Sequence, residues 1–313
     1  MIIYHTFNTQ DAYVNALVDL LSSLEGRISQ VTNIGDGMAT IGYGYTFNRS
    51  DNLALWTAAG ITLTDSERTV LQNIDSVPDG QKTNIALTQF TRTITQDEAR
   101  QLLQQTYQQY EGPANELVMP YSNERVALVS LCYNIGVNNP RLAPVLDAIR
   151  EGNRAEAWYQ IRYNSQTTNP LYVNGIANRR YEEADLFGLS NAGTLTQDQE
   201  VAQAKEQVRM WIRHGNAITT YETTYSLAPS GSLSAESYIG TAVSRLAAIF
   251  ASGTTIDYAI VGAGLESYAY LEQAPSETLY GTDKNDLIFG EGGNDTINGM
   301  EGNDVIYGGN GSD

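Results

Sequence analysis

Glu25 closes a segment, residues 11–25, in which Val14, Leu17, Val18, Leu21 and Leu24 recur at helical spacing, with Gly26 following as the expected C-cap. The carboxyl is therefore expected at the C-terminal end of an amphipathic helix. The helix dipole disfavours an anion there, so a glutamate in that place should hold its proton more tightly than usual, the property of a general acid. By spacing alone an ordinary exposed helix-end glutamate fits the same pattern.

A second set of oxygen ligands lies at the other end of the chain. Asp286, Asp295, Asp304 and Asp313 recur every nine residues, each preceded by Asn285, Asn294, Asn303 or Ser312. Gly281, Gly290, Gly299 and Gly308 open the units, and Ile288, Ile297 and Ile306 follow the first three Asp at +2. Glycines allow tight turns at positive φ that aim carbonyls inward, and carboxylates supply hard oxygen for Ca²⁺. The repeating isoleucine is expected to point into the narrow core of a stacked parallel β-roll. This register resembles the calcium-binding nonapeptide repeats of the RTX family. The resemblance implies structural Ca²⁺ held among Asp286, Gly290, Gly293, Asp295, Gly299, Gly302, Asp304, Gly308, Gly311 and Asp313. Lys284, Glu291 and Met300 stand where the pattern has glycine, so the first turn is expected to be a cap or a weak site. The repeat stops at Asp313 in mid-unit, so a truncated array is expected. Without the ion, clustered carboxylates and glycine entropy should leave the tail disordered.

The elements that must position Glu25 follow it directly. Residues 28–34 and 38–46 are predicted as two strands around a turn at Gly35-Asp36-Gly37, which places the helix end beside a glycine-rich hairpin. Tyr43 and Tyr45 would share one face of the second strand, as sugar-stacking platforms or as core. Thr95 and Glu98 form a predicted capping box, and the apolar run Val126–Tyr133 holds Cys132 as a small buried side chain. A linker at 190–195 precedes helices predicted from Thr196 to about Arg213 and over 235–252, separated by a Pro/Gly/Ser-rich break at 227–233. These helices are expected to pack as a docking module.

The 313 residues carry 36 acidic and 18 basic side chains, a net charge of −18. The net is −7 over 1–189, −5 over 190–277 and −6 over 278–313, so the last segment is the most acid-dense. Such a balance argues against nucleic-acid partners and points to cations. No apolar stretch of about 18 residues predicts a transmembrane segment, and the start lacks the basic and apolar regions of a standard secretory signal. A single cysteine excludes disulfide scaffolds and cysteine zinc sites. Zinc-protease and serine-hydrolase motifs have no residues to stand on, and His5 and His214 are expected to be plain surface residues.

Leu24-Glu25-Gly26, followed by Thr40-Ile-Gly-Tyr-Gly-Tyr-Thr46, resembles the phage-type lysozymes. The likeness continues through Ile94–Arg100, Glu124–Gly136, Leu146–Trp158 and Gly175–Glu183, so that it spans roughly residues 14–189. It implies an α+β fold: a mainly helical lysozyme-like domain at 1–189 with a small β-hairpin lobe, a helical spacer at 190–277 and the β-roll at 278–313. It also implies peptidoglycan as substrate, Glu25 as catalytic acid, Thr40 as the threonine of the triad and Arg179 as the arginine that pairs with the acid, with no cofactor for catalysis. The family's middle member falls on Ile34, and the nearest acid is Asp36. Either Asp36 orients water as base in a muramidase, or Glu25 works alone in a lytic transglycosylase. A non-catalytic, adhesin-type glycan-binding protein is the rival class. The RTX resemblance implies a secreted bacterial protein, with a type I exporter that reads a C-terminal signal as expected partner.

Overall fold

The computed structural model describes residues 1–165, 173–225, 235–262 and 275–313. The break expected at 227–233 lies outside the described residues. The chain forms two compact units, Thr6–Val137, and Met1–His5 together with Asn138–Asp313.

The unit Thr6–Val137 begins with α1 (Gln10–Leu24), started by Thr9, whose hydroxyl accepts from the Ala12 amide at 3.1 Å. Its buried stripe is Tyr13, Leu17, Val18 and Leu21, which packs on the later helices α5 (Gln96–Thr106) and α7 (Asn123–Ile135). The helix stops one residue before the sequence predicts. Glu25 itself, at φ −100° and ψ 135°, is the C-cap, and Gly26 has no positive φ. α7 is buried from Glu124 to Cys132, as expected of a helix with no polar face. Its Arg125 is held by Glu111 and the Met119 carbonyl, and Tyr13 donates its hydroxyl to the same Glu111.

Strands β1 (Ile28–Thr32), β2 (Thr40–Gly42) and β3 (Tyr45–Thr46) form one antiparallel sheet in that order, with Thr32 opposite Thr40 and Ile41 opposite Tyr45. The single strand predicted over 38–46 is therefore two. Gly42, the last residue of β2, at φ +67° and Gly44 at φ +90° adopt left-handed backbone that ends the extended run, and the chain turns at Tyr43-Gly44. Helices α2 (Asn52–Ala58), α3 (Asp65–Ser76) and α4 (Asp79–Gln89) follow, and α5 lies against β2. The predicted capping box of Thr95 and Glu98 forms at the start of α5, and Thr64 and Glu67 make a second at α3. A short 3₁₀ turn, Tyr107–Tyr110, leads to α6 (Gly112–Glu116) and then α7.

The second unit holds α8 (Ala143–Glu151), α9 (Arg154–Tyr159), a π-helical turn at Gln160–Asn164, and α10 (Val173–Phe187). Next come α11 (Gln197–Tyr225) and α12 (Ala235–Phe250). α11 runs past the predicted end at Arg213 because it is anchored along its length. Arg213 and His214 both reach Glu156 at 3.0 Å, and Tyr163 donates to Glu222 at 2.7 Å. His214 is thus no plain surface residue: its ring stacks on Tyr159 at 3.7 Å between centroids and 7° between planes.

Strands β4 (Tyr258–Val261), β5 (Thr278–Tyr280), β6 (Asp286–Phe289), β7 (Thr296–Asn298) and β8 (Val305–Tyr307) complete this unit. β4, β6 and β8 pair in parallel in that order, and β5 pairs with β7 in parallel. Partners such as Ile288 and Ile306, or Leu279 and Ile297, are two repeats apart, so one coil of the roll takes two nonapeptides. The isoleucines are not equivalent. Ile288, on the central strand, is fully buried, whereas Ile306, on the edge strand β8, is 47% exposed.

Candidate active site and calcium-binding repeats

Glu25 is the C-cap just outside α1, and β1 starts three residues later. Ile28 lies opposite Gly42 and Thr32 opposite Thr40, so Thr40 sits on the strand paired with the segment that follows Glu25. Glu25 is half-buried. Thr40 is 2% exposed, and its Oγ1 has no hydrogen-bond partner among the described residues. A buried hydroxyl costs free energy unless something satisfies it, and a bound water is the simplest candidate.

Asp36 is placed differently. It is exposed, and its Oδ1 accepts from the Met38 amide at 2.9 Å in a local turn, while Asn33 Oδ1 accepts from Gly35 and Gly37 at 2.8 and 3.2 Å. Ile34, at the family's middle position, is 62% exposed.

Tyr43 and Tyr45 do not share a strand face. Tyr45 is buried, its hydroxyl donates to Asn52 Oδ1 at 2.6 Å, and its ring packs edge-on to Phe47 and Trp56 at 5.3 and 6.0 Å. Burial pushes its hydroxyl well above the ordinary tyrosine range. It belongs to the core of the lobe and offers no ring face to a ligand. Tyr43 is also buried, and its carbonyl accepts from the Tyr133 hydroxyl.

Tyr110 escaped the sequence reading, and the role of Tyr133 as its ring partner was not foreseen. Tyr110 ends the 3₁₀ turn, and its ring lies 4.6 Å from that of Tyr133 near the end of α7. Burial raises the Tyr110 hydroxyl; the Arg49 charge acts against this, and the Glu25 carboxylate adds to it. In the sequence Tyr133 is only the end of the apolar run Val126–Tyr133, and only a spacing of three from Tyr107 marks Tyr110 at all.

Arg179 lies on α10 in the second unit. It is buried, and its Nε donates to Glu183 Oε1 at 3.0 Å. Glu183 is fully buried and also accepts from Arg180.

In the roll, Asp295, Asp304 and Asp313 each cap the coil beside them. Asp304 Oδ1 accepts from the Asp286 amide and Asp313 Oδ1 from the Asp295 amide, both at 3.0 Å, and Asp295 Oδ1 accepts from the Glu277 amide at 2.9 Å. Asp295 Oδ2 is buried and has no partner among the described residues. A carboxylate oxygen so placed suits a hard cation. Among the described residues no three His, Cys, Asp or Glu side chains are grouped to hold a metal, so the remaining oxygens would be carbonyls of the glycine turns. Gly293 at φ +122°, Gly302 at +118° and Gly311 at +150° supply that backbone. The first repeat is self-satisfied: Asp286 Oδ2 accepts from the Thr282 amide at 2.6 Å and hydroxyl at 3.0 Å. Glu291 and Met300, standing in glycine positions, take left-handed φ of 72° and 68°. Glu291 is held there by Lys205 and by Arg209 at 3.3 Å, both on α11.

The phage lysozyme family matches over residues 22–183, more than half of the chain, and the protein belongs to that family. The RTX calcium-binding nonapeptide repeat, in four copies, matches 277–313. The protein thus joins a lysozyme-family glycosidase domain to calcium-binding repeats. Among solved structures, the muramidase domain of SpmX from Asticaccaulis excentricus is similar at 23% identity, with 58% of this chain and 98% of that chain covered at a TM-score of 0.38. No curated protein matches. Among the described residues no helix is long and apolar enough to cross a membrane.

Proposed function

We propose that the protein is a secreted muramidase that cleaves the bond between N-acetylmuramic acid and N-acetylglucosamine in bacterial peptidoglycan. Glu25 donates the proton to the glycosidic oxygen, Thr40 holds the attacking water, and Asp36 orients that water as base. Arg179 is carried over from the family resemblance as the cationic partner of the acid. The observation that carries this reading is the unpartnered, buried Thr40 hydroxyl on the strand next to the segment that leaves Glu25. Tyr45 is left out of the substrate contacts because it is core.

A second reading has its own support. Asp36 is exposed and engaged in its own turn, and the family's middle position is Ile34. In a lytic transglycosylase one acid/base suffices, because the muramic-acid 6-hydroxyl attacks the anomeric carbon intramolecularly.

Calcium is structural in this reading. Asp286, Gly290, Gly293, Asp295, Gly299, Gly302, Asp304, Gly308, Gly311 and Asp313 line the turns that would hold it, and its charge offsets their carboxylates. Low cytosolic calcium keeps the repeats unfolded for export, and higher external calcium folds them. Residues 1–189 supply the enzyme and 190–277 a helical spacer.

Mass spectrometry of fragments released from purified peptidoglycan, with the wild type, Glu25→Gln and Asp36→Asn in millimolar calcium, tests the reading. Reducing-end muropeptides lost in both variants support the muramidase. Anhydro-muropeptides lost only in Glu25→Gln support the transglycosylase. Wall binding without release by the wild type would leave a glycan-binding role and end both.

A further inference from the structure

We propose that α11, α12 and β4 form the cap on which the calcium-binding roll folds, gripping its central strand β6 and the turn at Glu291. The inference rests on the calcium reading of the repeats and gives the helical spacer a function.

The roll's first sheet does not begin with a repeat. Its first strand, β4, reads Tyr258-Ala259-Ile260-Val261 and has neither the glycine nor the Asn-Asp pair of the nonapeptides. It nevertheless pairs in parallel with β6 over four residues, from Tyr258 opposite Asp286 to Val261 opposite Phe289. The Gly262 amide carries the ladder on to the Phe289 carbonyl at 2.8 Å. β4 thus covers the edge of β6 that β8 leaves open, and α11 packs on β4. An uncovered strand edge would present a row of unpaired amides and carbonyls.

Both helices also reach the roll through side chains. Glu291, in the turn after β6, pairs with Lys205 and, at 3.3 Å, with Arg209, two residues one helical turn apart on α11. The Arg209 Nε donates to the Gly262 carbonyl at 2.9 Å, so one guanidinium joins the ends of β4 and β6. The Lys205 ammonium lies 4.0 Å from the centre of the Phe289 ring. At the end of α12, the Phe250 ring meets those of Phe289 and Tyr307 edge-on at 5.0 and 5.3 Å, and its carbonyl accepts from the Tyr307 hydroxyl at 2.7 Å. A carbonyl in the last turn of a helix lacks an intrahelical partner, so strand β8 caps α12. Position 291 points the same way. Met300 takes the equivalent left-handed backbone in the next repeat with an exposed, uncharged side chain, whereas Glu291 is half-buried between two cations of α11. Glutamate at this glycine position serves the contact with α11.

The test uses the full chain, with calcium alone as titrant. Circular dichroism gives the calcium midpoint, and hydrogen exchange the protection of β4 and the last turn of α12. Lys205→Met combined with Arg209→Met removes contacts worth roughly a fivefold change in the folding constant, and is expected to raise the midpoint about twofold. Glu291→Gln is expected to raise it by a similar factor and to add nothing further when combined with the other two, because all three remove the same contacts. In the wild type, β4 and the end of α12 are expected to gain about tenfold in protection with calcium over chelator, since they dock on strands that calcium orders. A midpoint unchanged in these variants, or shifts that simply add, overturns the inference. So does protection of β4 and α12 that ignores calcium while β6 and β7 respond to it, a result that needs no variant. A wild-type roll with no calcium response removes the calcium reading itself, and this inference with it.

Discussion

Met300 stands one place after Gly299, where the last repeat has Gly309, and the two other left-handed positions of that kind, Glu291 and Gly309, show what the substitution costs. Gly309 adopts φ +104°, while Met300 and Glu291 are forced to +68° and +72°. Left-handed backbone costs a residue with a Cβ about 1–2 kcal/mol. The Met300 side chain is 58% exposed, so little packing offsets that strain. Met300→Gly removes it, while the freer glycine costs the folded state about 0.5–1 kcal/mol in entropy. The net gain is about 0.5–1 kcal/mol, or roughly a two- to fivefold larger folding constant for the roll. Glu291→Gly relieves the same strain but gives up the contacts to Lys205 and Arg209, each worth about 0.2–1 kcal/mol at a partly exposed site. It should therefore come out neutral or destabilising. Calcium titrations of the full chain followed by circular dichroism read both, with the wild type as reference. Met300→Gly is expected to lower the calcium midpoint and Glu291→Gly to leave it or raise it. An order of effects reversed between the two variants would refute the reasoning that φ strain and the α11 contacts set the stability of these turns.

Tyr45→Phe should lower stability by about 1–2 kcal/mol, because Asn52 loses a buried partner, while turnover per folded molecule stays unchanged; thermal melts and rates on the same preparations check it. Glu156 is pushed up by burial, but the His214 and Gln160 hydrogen bonds outweigh that and hold its carboxyl below the ordinary range. Its contribution is therefore present above the unfolded carboxylate value of about 4.3 and is lost as pH falls through the lower folded value. Glu156→Gln should flatten that part of the stability profile, as urea melts between pH 3 and 7 would read. Chelation of calcium should abolish amide protection in β6 and β7 while α1 and α7 keep theirs, which hydrogen exchange resolves.

Local pattern determined a good deal. The stripe of α1 was legible, with the helix ending one residue short of Glu25, because apolar residues at helical spacing have one face to bury, and the capping box at Thr95 works through residues three apart. The nine-residue register determined the roll, since each repeat brings its own turn glycine, carboxylate and strand. What depended on distant partners was not legible. The two-repeat coil, with Ile288 buried and Ile306 exposed, follows from which strands pair, and no single repeat carries that information. α11 outruns its predicted end because Glu156 and Tyr163 wait for His214 and Glu222 from another segment. Tyr43 and Tyr45 alternate like strand neighbours, yet two left-handed glycines turn the chain between β2 and β3 and send Tyr45 into the core. The candidate site divides the same way. Motif spacing marked Glu25 and Thr40, while the pairing of Tyr110 with Tyr133 came only from the packing of segments far apart in the chain, because such side-chain contacts are decided by three-dimensional fit and leave no period in the sequence.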